Sequence, residues 1–347
     1  MTRTILVPWM MPEAGKETLK RAKVSTLFLH GPGGELPKPK ELIEAVKTVD
    51  ILIPRATLDV PDEALLNSPK LKGIANWGVG YNNININLAT KLGIPVTNTP
   101  GILTETTADL SWALLMATAR KIPQAHEYVV AGKWEGPGGK SFMGVDIGPG
   151  GSKRRKILGI IGFGKIGQAV FQRSKGFSMK VVAYDPPLKE LIEKTRGIEY
   201  SDLDSLLKES DFITLHLPLM EPTRHLIGKR EFNLMKSTAI FVNASRGPIV
   251  DEEALVEALQ KKTIMGAGLD VYENEPQLFP GLSELENVVL LPHIGSASED
   301  TRGQMAVVAA KNALVMLRGK RPVHIVNPQV LDSSAYKQRV IRIGKKS

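Results

Sequence analysis

The chain has 347 residues, and its 42% hydrophobic and 23% charged residues are typical of a globular protein long enough for about two domains. The lack of cysteine in the sequence excludes disulfides, thiolate metal sites and a cysteine nucleophile. The net charge is +9, but the basic residues are mostly dispersed along the sequence. The two basic clusters, at 152–156 and 336–347, are interpreted as a solvated turn and a frayed tail. The positive charge therefore suits a small anionic ligand better than nucleic acid.

The N-terminal stretch MTRTILVPWMMP has a short apolar run that Pro8 interrupts, and no small-residue cleavage site follows it. We therefore predict a buried first strand rather than a signal peptide. No apolar run in the sequence is long enough to cross a membrane, so we expect a cytoplasmic protein.

The first third of the chain alternates short apolar runs with helical patterns, which is typical of βα units that build a parallel sheet. One predicted helix is KPKELIEAVKTV at 38–49. The predicted strands are TILVP (4–8), TLFLH (26–30), DILIP (50–54), LKGIANW (71–77) and IPVTN (94–98).

A long helical pattern covers residues 104–134, and Pro123 should kink it or split it. Leu115 on one face and Val129 on the other are both apolar, which favours burial on both sides. Such a helix can bridge domains or lie in a dimer interface. The glycine-rich residues 135–156 lack periodicity and are predicted to form a loop.

A second series of βα units follows and ends in an amphipathic helix at 298–319, with Ser298 as its N-cap. The sequence therefore predicts an α/β protein with two Rossmann-like or flavodoxin-like parallel-sheet domains. The strands of the second series are ILGII (157–161), KVVAY (180–184), FITLHL (212–217), AIFVN (239–243), GAGLDV (266–271) and VVLL (288–291).

The segment at 156–170, KILGIIGFGKIGQAV, joins a predicted strand to a helix through the pattern G-x-G-x-x-G. Gly162 permits the tight turn, Gly164 lets the backbone approach a pyrophosphate, and Gly167 lets the helix pack on the strand. The free N–H groups at the start of the helix attract phosphate. The predicted dinucleotide-binding residues of this loop are Gly162, Gly164, Lys165, Ile166 and Gly167.

Asp185 ends the next predicted strand, 185 − 162 = 23 residues after Gly162. A carboxylate at this place binds the ribose hydroxyls of the adenosine. It also repels a 2′-phosphate, so NAD(H) is favoured, while the nearby Lys189 keeps NADP(H) as an alternative.

An apolar run at 268–276, GLDVYENEP, ends in three acids, Asp270, Glu273 and Glu275. A carboxylate at the mouth of a buried strand is costly unless it has a partner or a function. Among the six histidines, His293 follows a predicted strand and a proline, where it can exchange a proton with a substrate.

Five motifs in this order resemble the D-isomer-specific 2-hydroxyacid dehydrogenases, in particular their glyoxylate/hydroxypyruvate reductase branch. The resemblance covers roughly residues 3–330, and it is specific because the motifs occur together. They are NWGVGYNNIN (76–85), GFGKIG (162–167), VNASRGPIVDEEAL (242–255), GAGLDVYENEP (266–276) and LPHIGSAS (291–298).

The resemblance implies a catalytic triad of Arg246, Glu275 and His293. Glu275 would hold the imidazole of His293 and favour its protonated form, so that His293 acts as general acid. Asp270 would be the acid on the cofactor side, near the nicotinamide carboxamide. Glu273 has no counterpart role and is interpreted as solvated.

A 2-oxoacid needs a cation, N–H donors for its carboxylate, a proton donor and a hydride. Arg246 offers a forked cation, and the consecutive N–H groups at Val79 and Gly80 suit a carboxylate, which is also the role that the resemblance implies for this loop. From its position at a strand end, His216 lines either the cofactor site or only the crevice. The resemblance places these residues near the cofactor: Thr107, His216, Thr223, Ala244 and Gly295.

The resemblance also implies the domain organisation. Residues 1–102 and 298–331 would form a discontinuous substrate-binding domain, residues 103–297 the NAD-binding domain, and residues 332–347 a basic tail. The active site would lie in the cleft between the domains, and their closure would exclude water. A homodimer through the cofactor domain is expected.

We therefore predict an NAD(H)-dependent dehydrogenase that reduces glyoxylate or hydroxypyruvate to glycolate or D-glycerate, without a metal ion. A D-3-phosphoglycerate dehydrogenase-like enzyme is an alternative, which the short segment after residue 330 weakens, because such enzymes usually carry a regulatory extension. A dinucleotide-sensing transcriptional corepressor is another, with only the basic tail in its support. Glu275 argues against a formate enzyme, which would carry Gln there.

Overall fold

The structure, a computed structural model, describes residues 3–29, 36–136, 141–151 and 153–344. The chain forms two compact units, unit 1 from Met1–Leu103 with Ala297–Ser347 and unit 2 from Thr104–Ser296. Each unit contains a parallel sheet covered by helices, which confirms the predicted fold class. Among the described residues, no helix combines the length and the apolar character that a membrane span requires.

Within the described residues, unit 1 has a five-stranded parallel sheet in the order β2-β1-β3-β4-β5. Successive side chains of β1 face opposite sides: Ile5 and Val7 pack with α1 and α12, whereas Leu6 packs with α2, α3 and α4. Helices on both sides explain why the strands read as continuous apolar runs. The elements are β1 Thr4–Val7, α1 Glu13–Arg21, β2 Ser25–Phe28, α2 Pro39–Val46, β3 Ile51–Leu52, α3 Asp62–Leu66, β4 Gly73–Ala75, α4 Ile86–Lys91, β5 Val96–Thr97, α12 Glu299–Leu317 and α13 Ser334–Gly344.

The C-terminal segment corrects one prediction. The helix expected at 298–319 is α12, and the hydroxyl of Ser298 caps it as predicted. A further helix, α13, follows where we predicted a frayed tail. Its Arg339 makes hydrogen bonds of 2.6 to 3.0 Å to the main-chain carbonyl oxygens of Ser68, Leu71 and Leu92. These bonds hold the helix against residues that follow α3 and α4, which lie far away in the sequence.

Unit 2 has, again within the described residues, a seven-stranded parallel sheet in the order β12-β11-β10-β9-β6-β7-β8. The chain starts at the central β6 and moves outward on both sides, as in dinucleotide-binding sheets. All six predicted strands are present, whereas the two-residue edge strand β8 was missed because it has no apolar run. The elements are α5 Thr104–Ala119, α6 Ile122–Val130, β6 Ile157–Ile161, α7 Lys165–Ser174, β7 Lys180–Tyr184, α8 Lys189–Lys194, β8 Glu199–Tyr200, α9 Leu203–Glu209, β9 Phe212–Leu215, α10 Lys229–Leu234, β10 Ile240–Asn243, α11 Glu252–Gln260, β11 Gly266–Leu269 and β12 Val288–Leu290.

The helical pattern predicted at 104–134 is split into α5 and α6. Lys121 between them has a left-handed backbone with φ of 53°, and Pro123 lies in the first turn of α6, where its missing N–H is not needed. Residues of α5 are buried on several sides, as predicted. The prediction fails for α6, because it has no buried residue and its Val129 is 50% exposed.

The loop predicted at 135–156 has no helix or strand in its described part, which leaves out residues 137–140 and Ser152. The interpretation of its basic cluster as a solvated turn is incomplete, because Arg154 and Arg155 make hydrogen bonds to other parts of unit 2. Nη2 of Arg154 donates to Oδ1 of Asp211 at 2.7 Å, and the next arginine donates to two main-chain carbonyl oxygens just before β7. These arginines therefore fasten the loop to the start of the sheet, a role that a local charge pattern does not indicate.

Replacement of Arg339 by Gln should lower the free energy of unfolding by about 1.5–3 kcal/mol, because it removes a charged donor from the carbonyl oxygens of Ser68, Leu71 and Leu92. Urea denaturation followed by circular dichroism measures the change. The matched control is Lys337→Gln, which removes a charge from an exposed position of the same helix. Equal stability of the two variants would mean that Arg339 does not hold α13 in place.

Candidate active site

The turn between β6 and α7 is packed tightly at two glycines and open at a third. Gly162 has φ of 96°, and a Cβ there would lie 2.6 Å from the carbonyl oxygen of His216. A Cβ on Gly167 would lie 2.1 Å from the carbonyl oxygen of Gly162. A Cβ on Gly164, in contrast, would meet no atom within 4 Å. This open backbone and the N-terminus of α7, at Lys165 and Ile166, suit the pyrophosphate of a dinucleotide.

Asp185 follows β7 and lies beside this turn. Its Oδ2 accepts a hydrogen bond of 2.8 Å from the N–H of Phe163, so the carboxylate also supports the glycine turn. The nearby Lys189 has its Nζ 4.9 Å from the ring centroid of Tyr200 and 3.8 Å from the carboxylate of Glu193. The cation that we considered for a 2′-phosphate thus has neighbours within its own unit.

His293 and Glu275 form a hydrogen-bonded pair near the carboxyl ends of β12 and β11. Nδ1 of His293 lies 2.7 Å from Oε2 of Glu275, and Oε1 of Glu275 accepts from the N–H of Tyr272 at 3.1 Å. Burial raises the pKa of Glu275, but the hydrogen bonds from His293 and Tyr272 and the charges of His293 and Arg246 outweigh it, so this pKa lies below its ordinary value. Glu275 is therefore a carboxylate at neutral pH, and it fixes the orientation of the imidazole.

Asp270 builds the turn that carries His293. The residue is 1% exposed, and its two oxygens accept from the N–H groups of Ile294 and Gly295 at 2.7 and 2.8 Å. His293 has φ of 52°, a left-handed conformation that a residue with a side chain keeps only when its surroundings impose it. Burial raises the pKa of Asp270 above its ordinary value, although the two N–H groups favour the carboxylate.

Arg246 approaches the pair from the end of β10. The side-chain amide of Asn243 donates to the carbonyl oxygen of Arg246 at 3.0 Å, and the guanidinium donates to the preceding carbonyl oxygen at 2.5 Å. Gly247 packs on the loop that bears Glu275, since a Cβ there would lie 1.9 Å from the carbonyl oxygen of Tyr272. Burial lowers the pKa of Arg246, and the charge of Glu275 raises it. The predicted triad is thus brought together within unit 2.

The other residues predicted near the cofactor also belong to unit 2. Thr107 is buried and donates from Oγ1 to the carbonyl oxygen of Gly295 at 3.1 Å. The hydroxyl of Thr223 donates to the carbonyl oxygen of Pro218 at 2.7 Å. Ala244 is buried directly after β10. Nε2 of His216 lies 2.9 Å from a threonine hydroxyl, and burial lowers the pKa of His216 to about 3, so the ring is neutral.

Val79 and Gly80 belong to unit 1, where they are partly exposed in the loop after β4. The triad belongs to unit 2, and the substrate-binding role of Val79 and Gly80 stays a prediction. In the described part of the chain, no group of three or more His, Asp or Glu residues could hold a metal ion.

Sequence reasoning missed a second set of acids beside Glu275. Glu252, in the first turn of α11, is 3% exposed, and its Oε1 accepts from the N–H of Glu273 at 2.9 Å. The interpretation of Glu273 as solvated was wrong, because its carboxylate is hydrogen-bonded to Nε2 of His225. His225 lies 48 residues earlier in the chain, so no local pattern indicates this pair. Glu252 follows the N-cap of α11. Its position in the sequence therefore predicts only an ordinary acidic residue in the first turn of a helix.

Comparisons with known proteins agree with this geometry. The sequence model of the family described as "D-isomer specific 2-hydroxyacid dehydrogenase, NAD binding domain" matches residues 112–295. A glyoxylate reductase of Thermococcus litoralis is 50% identical over 297 residues, which cover 84% of this chain and 88% of that protein. A crystal structure of a Thermus thermophilus protein has a TM-score of 0.82 and 38% identity, covering 93% of this chain and 99% of that one. The NADPH-dependent glyoxylate/hydroxypyruvate reductase of Sinorhizobium meliloti, solved with NADP and malonate, has a TM-score of 0.81 and 29% identity, covering 94% and 97% of the respective chains.

The replacement Glu252→Gln should change how stability depends on pH. Burial raises the pKa of Glu252 above its ordinary value of 4.5, so the folded protein holds this proton more tightly than the unfolded chain does. Stability from this group is therefore lost as the pH rises from the unfolded towards the folded pKa. The stability of the variant relative to the wild type should rise with pH above about 4.5, which urea denaturation between pH 4 and 7 measures.

The matched control is Glu257→Gln in the same helix. Hydrogen bonds from Lys261 and Lys229 lower the pKa of Glu257, so this group stabilises the fold above its unfolded pKa. The relative stability of this control should fall only until the pH reaches about the unfolded pKa of 4.5, and it should then level off instead of rising. The same sign for both variants would contradict the explanation for Glu252.

Proposed function

Because the chain belongs to the D-isomer specific 2-hydroxyacid dehydrogenase family, we propose that it reduces glyoxylate and hydroxypyruvate to the corresponding 2-hydroxyacids with a nicotinamide dinucleotide. The observation that carries this proposal is the grouping of Arg246, Glu275 and His293 after three neighbouring strands. The substrate is taken from the names of the relatives, a glyoxylate reductase and a glyoxylate/hydroxypyruvate reductase.

His293 is the proposed general acid. Its Nδ1 is held by Glu275, so Nε2 is the nitrogen that delivers a proton to the carbonyl oxygen of the substrate. The carboxylate of Glu275 stabilises the positive charge of the protonated ring. In the opposite direction, Nε2 takes the proton from the hydroxyl of the 2-hydroxyacid.

Arg246 is proposed to bind the substrate through its permanently charged, forked guanidinium. The charge of Glu275 compensates part of the cost of burying this cation. The N–H groups of Val79 and Gly80 are proposed to bind the carboxylate of the substrate. The chemistry that a bound nicotinamide supplies is the hydride that adds to the carbonyl carbon.

The cofactor is proposed to bind along the carboxyl edge of the unit 2 sheet. Its pyrophosphate would lie on the open backbone at Gly164 and the start of α7. Its adenosine ribose would lie at Asp185, whose negative charge favours NAD(H) over NADP(H). The Sinorhizobium meliloti structure contains NADP, so the fold alone does not decide this preference. The remaining proposed contacts are Thr107, His216, Thr223, Ala244, Asp270 and Gly295.

A homodimer through unit 2 is also part of the proposal. Its support is α6 and the residues after it, which present large apolar side chains to the surface. Exposed fractions are 53% for Ile122, 72% for Val130 and 66% for Trp134. Large exposed apolar side chains that lie this close together in the sequence suit a surface that another protein covers. The cytoplasmic location stays a prediction from the sequence.

The replacement His293→Asn should lower kcat for glyoxylate by about 10²–10⁴, because the proton donor is lost. NADH binding, measured by fluorescence titration, should survive, since the change leaves the glycine turn intact. His225→Asn is the matched control, because His225 also pairs with a glutamate, Glu273, yet has no proposed part in the reaction. Near-normal turnover of the His293 variant would rule out its role as acid.

Two replacements of Asp185 separate its charge from its hydrogen bond. Asn keeps an acceptor for the N–H of Phe163 without the charge, whereas Ala removes both. Both should lower the ratio of kcat/KM with NADH to kcat/KM with NADPH by about fivefold or more, since a like-charge contact at 4 Å costs about 1–4 kcal/mol. A change in the Ala variant alone would assign the effect to the glycine turn and not to the charge.

A further inference from the structure

Three consecutive main-chain carbonyl groups in the loop at 78–80 are each held by a donor of unit 1. The carbonyl oxygen of Gly78 accepts from the N–H of Thr99 at 2.9 Å. The carbonyl oxygen of Val79 accepts from Nδ2 of Asn98 at 2.8 Å, and that of Gly80 accepts from Nδ2 of Asn76 at 2.7 Å. All three donors lie at the neighbouring ends of β4 and β5, so the three carbonyl groups point towards these strand ends.

This arrangement determines where the N–H groups of the loop point. In a trans peptide the C=O and N–H groups lie on opposite sides of the bond, and the peptides of this loop are trans. The N–H groups of Val79, Gly80 and Tyr81 therefore point away from the strand ends. Among the described residues, no acceptor binds the N–H of Val79 or of Gly80. Consecutive N–H groups on one side of a chain form a concave site for an anion.

The two asparagines are themselves held in place. Asn76 is fully buried, and its Oδ1 accepts from Nδ2 of Asn83 at 3.3 Å. The carbonyl oxygen of Asn98 accepts from Nδ2 of Asn312 on α12 at 3.2 Å, and the N–H of Asn98 donates to the carbonyl oxygen of His324 at 3.1 Å. Only an amide suits these positions among side chains of this size, because a carboxylate cannot donate to a carbonyl oxygen.

We propose that Asn76 and Asn98 are positioning residues that hold the 78–80 loop with the N–H groups of Val79 and Gly80 directed at the substrate carboxylate. The inference rests on the proposed function and adds that the affinity for the carboxylate depends on two amides that do not touch the substrate. Because they act through the loop, they affect substrate binding and leave the proton and hydride steps intact.

The replacement Asn98→Asp tests this, because it keeps the size of the side chain, removes the donor and sets a negative charge beside the carbonyl oxygen of Val79. We expect the KM for glyoxylate to rise about tenfold or more. The reason is that a displaced loop loses an N–H hydrogen bond to the charged carboxylate of the substrate. The kcat should stay within about threefold, and the Kd for NADH should not change. Oxalate, a dicarboxylate without a reducible carbonyl, should bind the NADH-loaded protein about tenfold more weakly in calorimetry.

Asn98→Ala removes the donor without adding a charge and should give the same pattern, so it replaces Asn98→Asp if aspartate prevents folding. The matched control is Asn67→Asp, because Nδ2 of Asn67 also donates to a main-chain carbonyl oxygen, that of Glu63 at 3.0 Å, at the exposed end of α3. This control should leave all four constants unchanged.

Two results would overturn the positioning role of Asn98. One is an unchanged KM together with an unchanged oxalate affinity. The other is a parallel loss of kcat and NADH affinity, which indicates general damage to the fold. A wild-type protein that neither reduces a 2-oxoacid nor binds oxalate would instead refute the proposed function, and the inference with it.

Discussion

The register of three neighbouring parallel strands is the constraint on which the candidate active site depends. β10 pairs with β11 through Asn243 and Leu269, and β11 pairs with β12 through Leu269 and Leu290. A slip of one residue in either pairing would turn the following side chains to the opposite face. Each strand ends at the same edge of the sheet and is followed by one member of the triad, Arg246, Glu275 or His293. Main-chain hydrogen bonds between the strands thus set the spacing of the three segments that carry the triad.

Main-chain contacts also fix the loop that presents Glu275. The N–H of Tyr272 is bound by Glu275 itself, and the N–H of Glu273 is bound by the buried Glu252. Gly247 lets the turn after Arg246 lie directly on the same loop. The acid that orients His293 is therefore held on several sides, so that its carboxylate does not need to reorganise when the imidazole gains a proton.

The sequence predicted the fold class well because its signals are local. The triad of Arg246, Glu275 and His293 came from the family resemblance, and its catalytic role stays a prediction. Apolar runs mark the strands, and Gly162, Gly164 and Gly167 occupy a turn whose spacing follows from helix and strand geometry. What the sequence missed depends on partners that are distant along the chain. α13 is held by carbonyl groups of residues that follow α3 and α4, and Glu273 is paired with His225. Local charge patterns in both places resemble solvated surface, and only the fold brings the partners together.

The division of unit 1 between the two ends of the chain affects how the protein is made. The face of the sheet that carries Ile5 and Ile51 is covered by α12, with Ala306 and Ala310 in the contact. At about 5–20 residues per second, a ribosome needs roughly 10–40 s after residue 103 to complete α12. For that time the nascent chain carries an apolar sheet face that α1 covers only in part. Unit 2 is one continuous stretch and can close its own core as soon as residue 296 is made, just before α12.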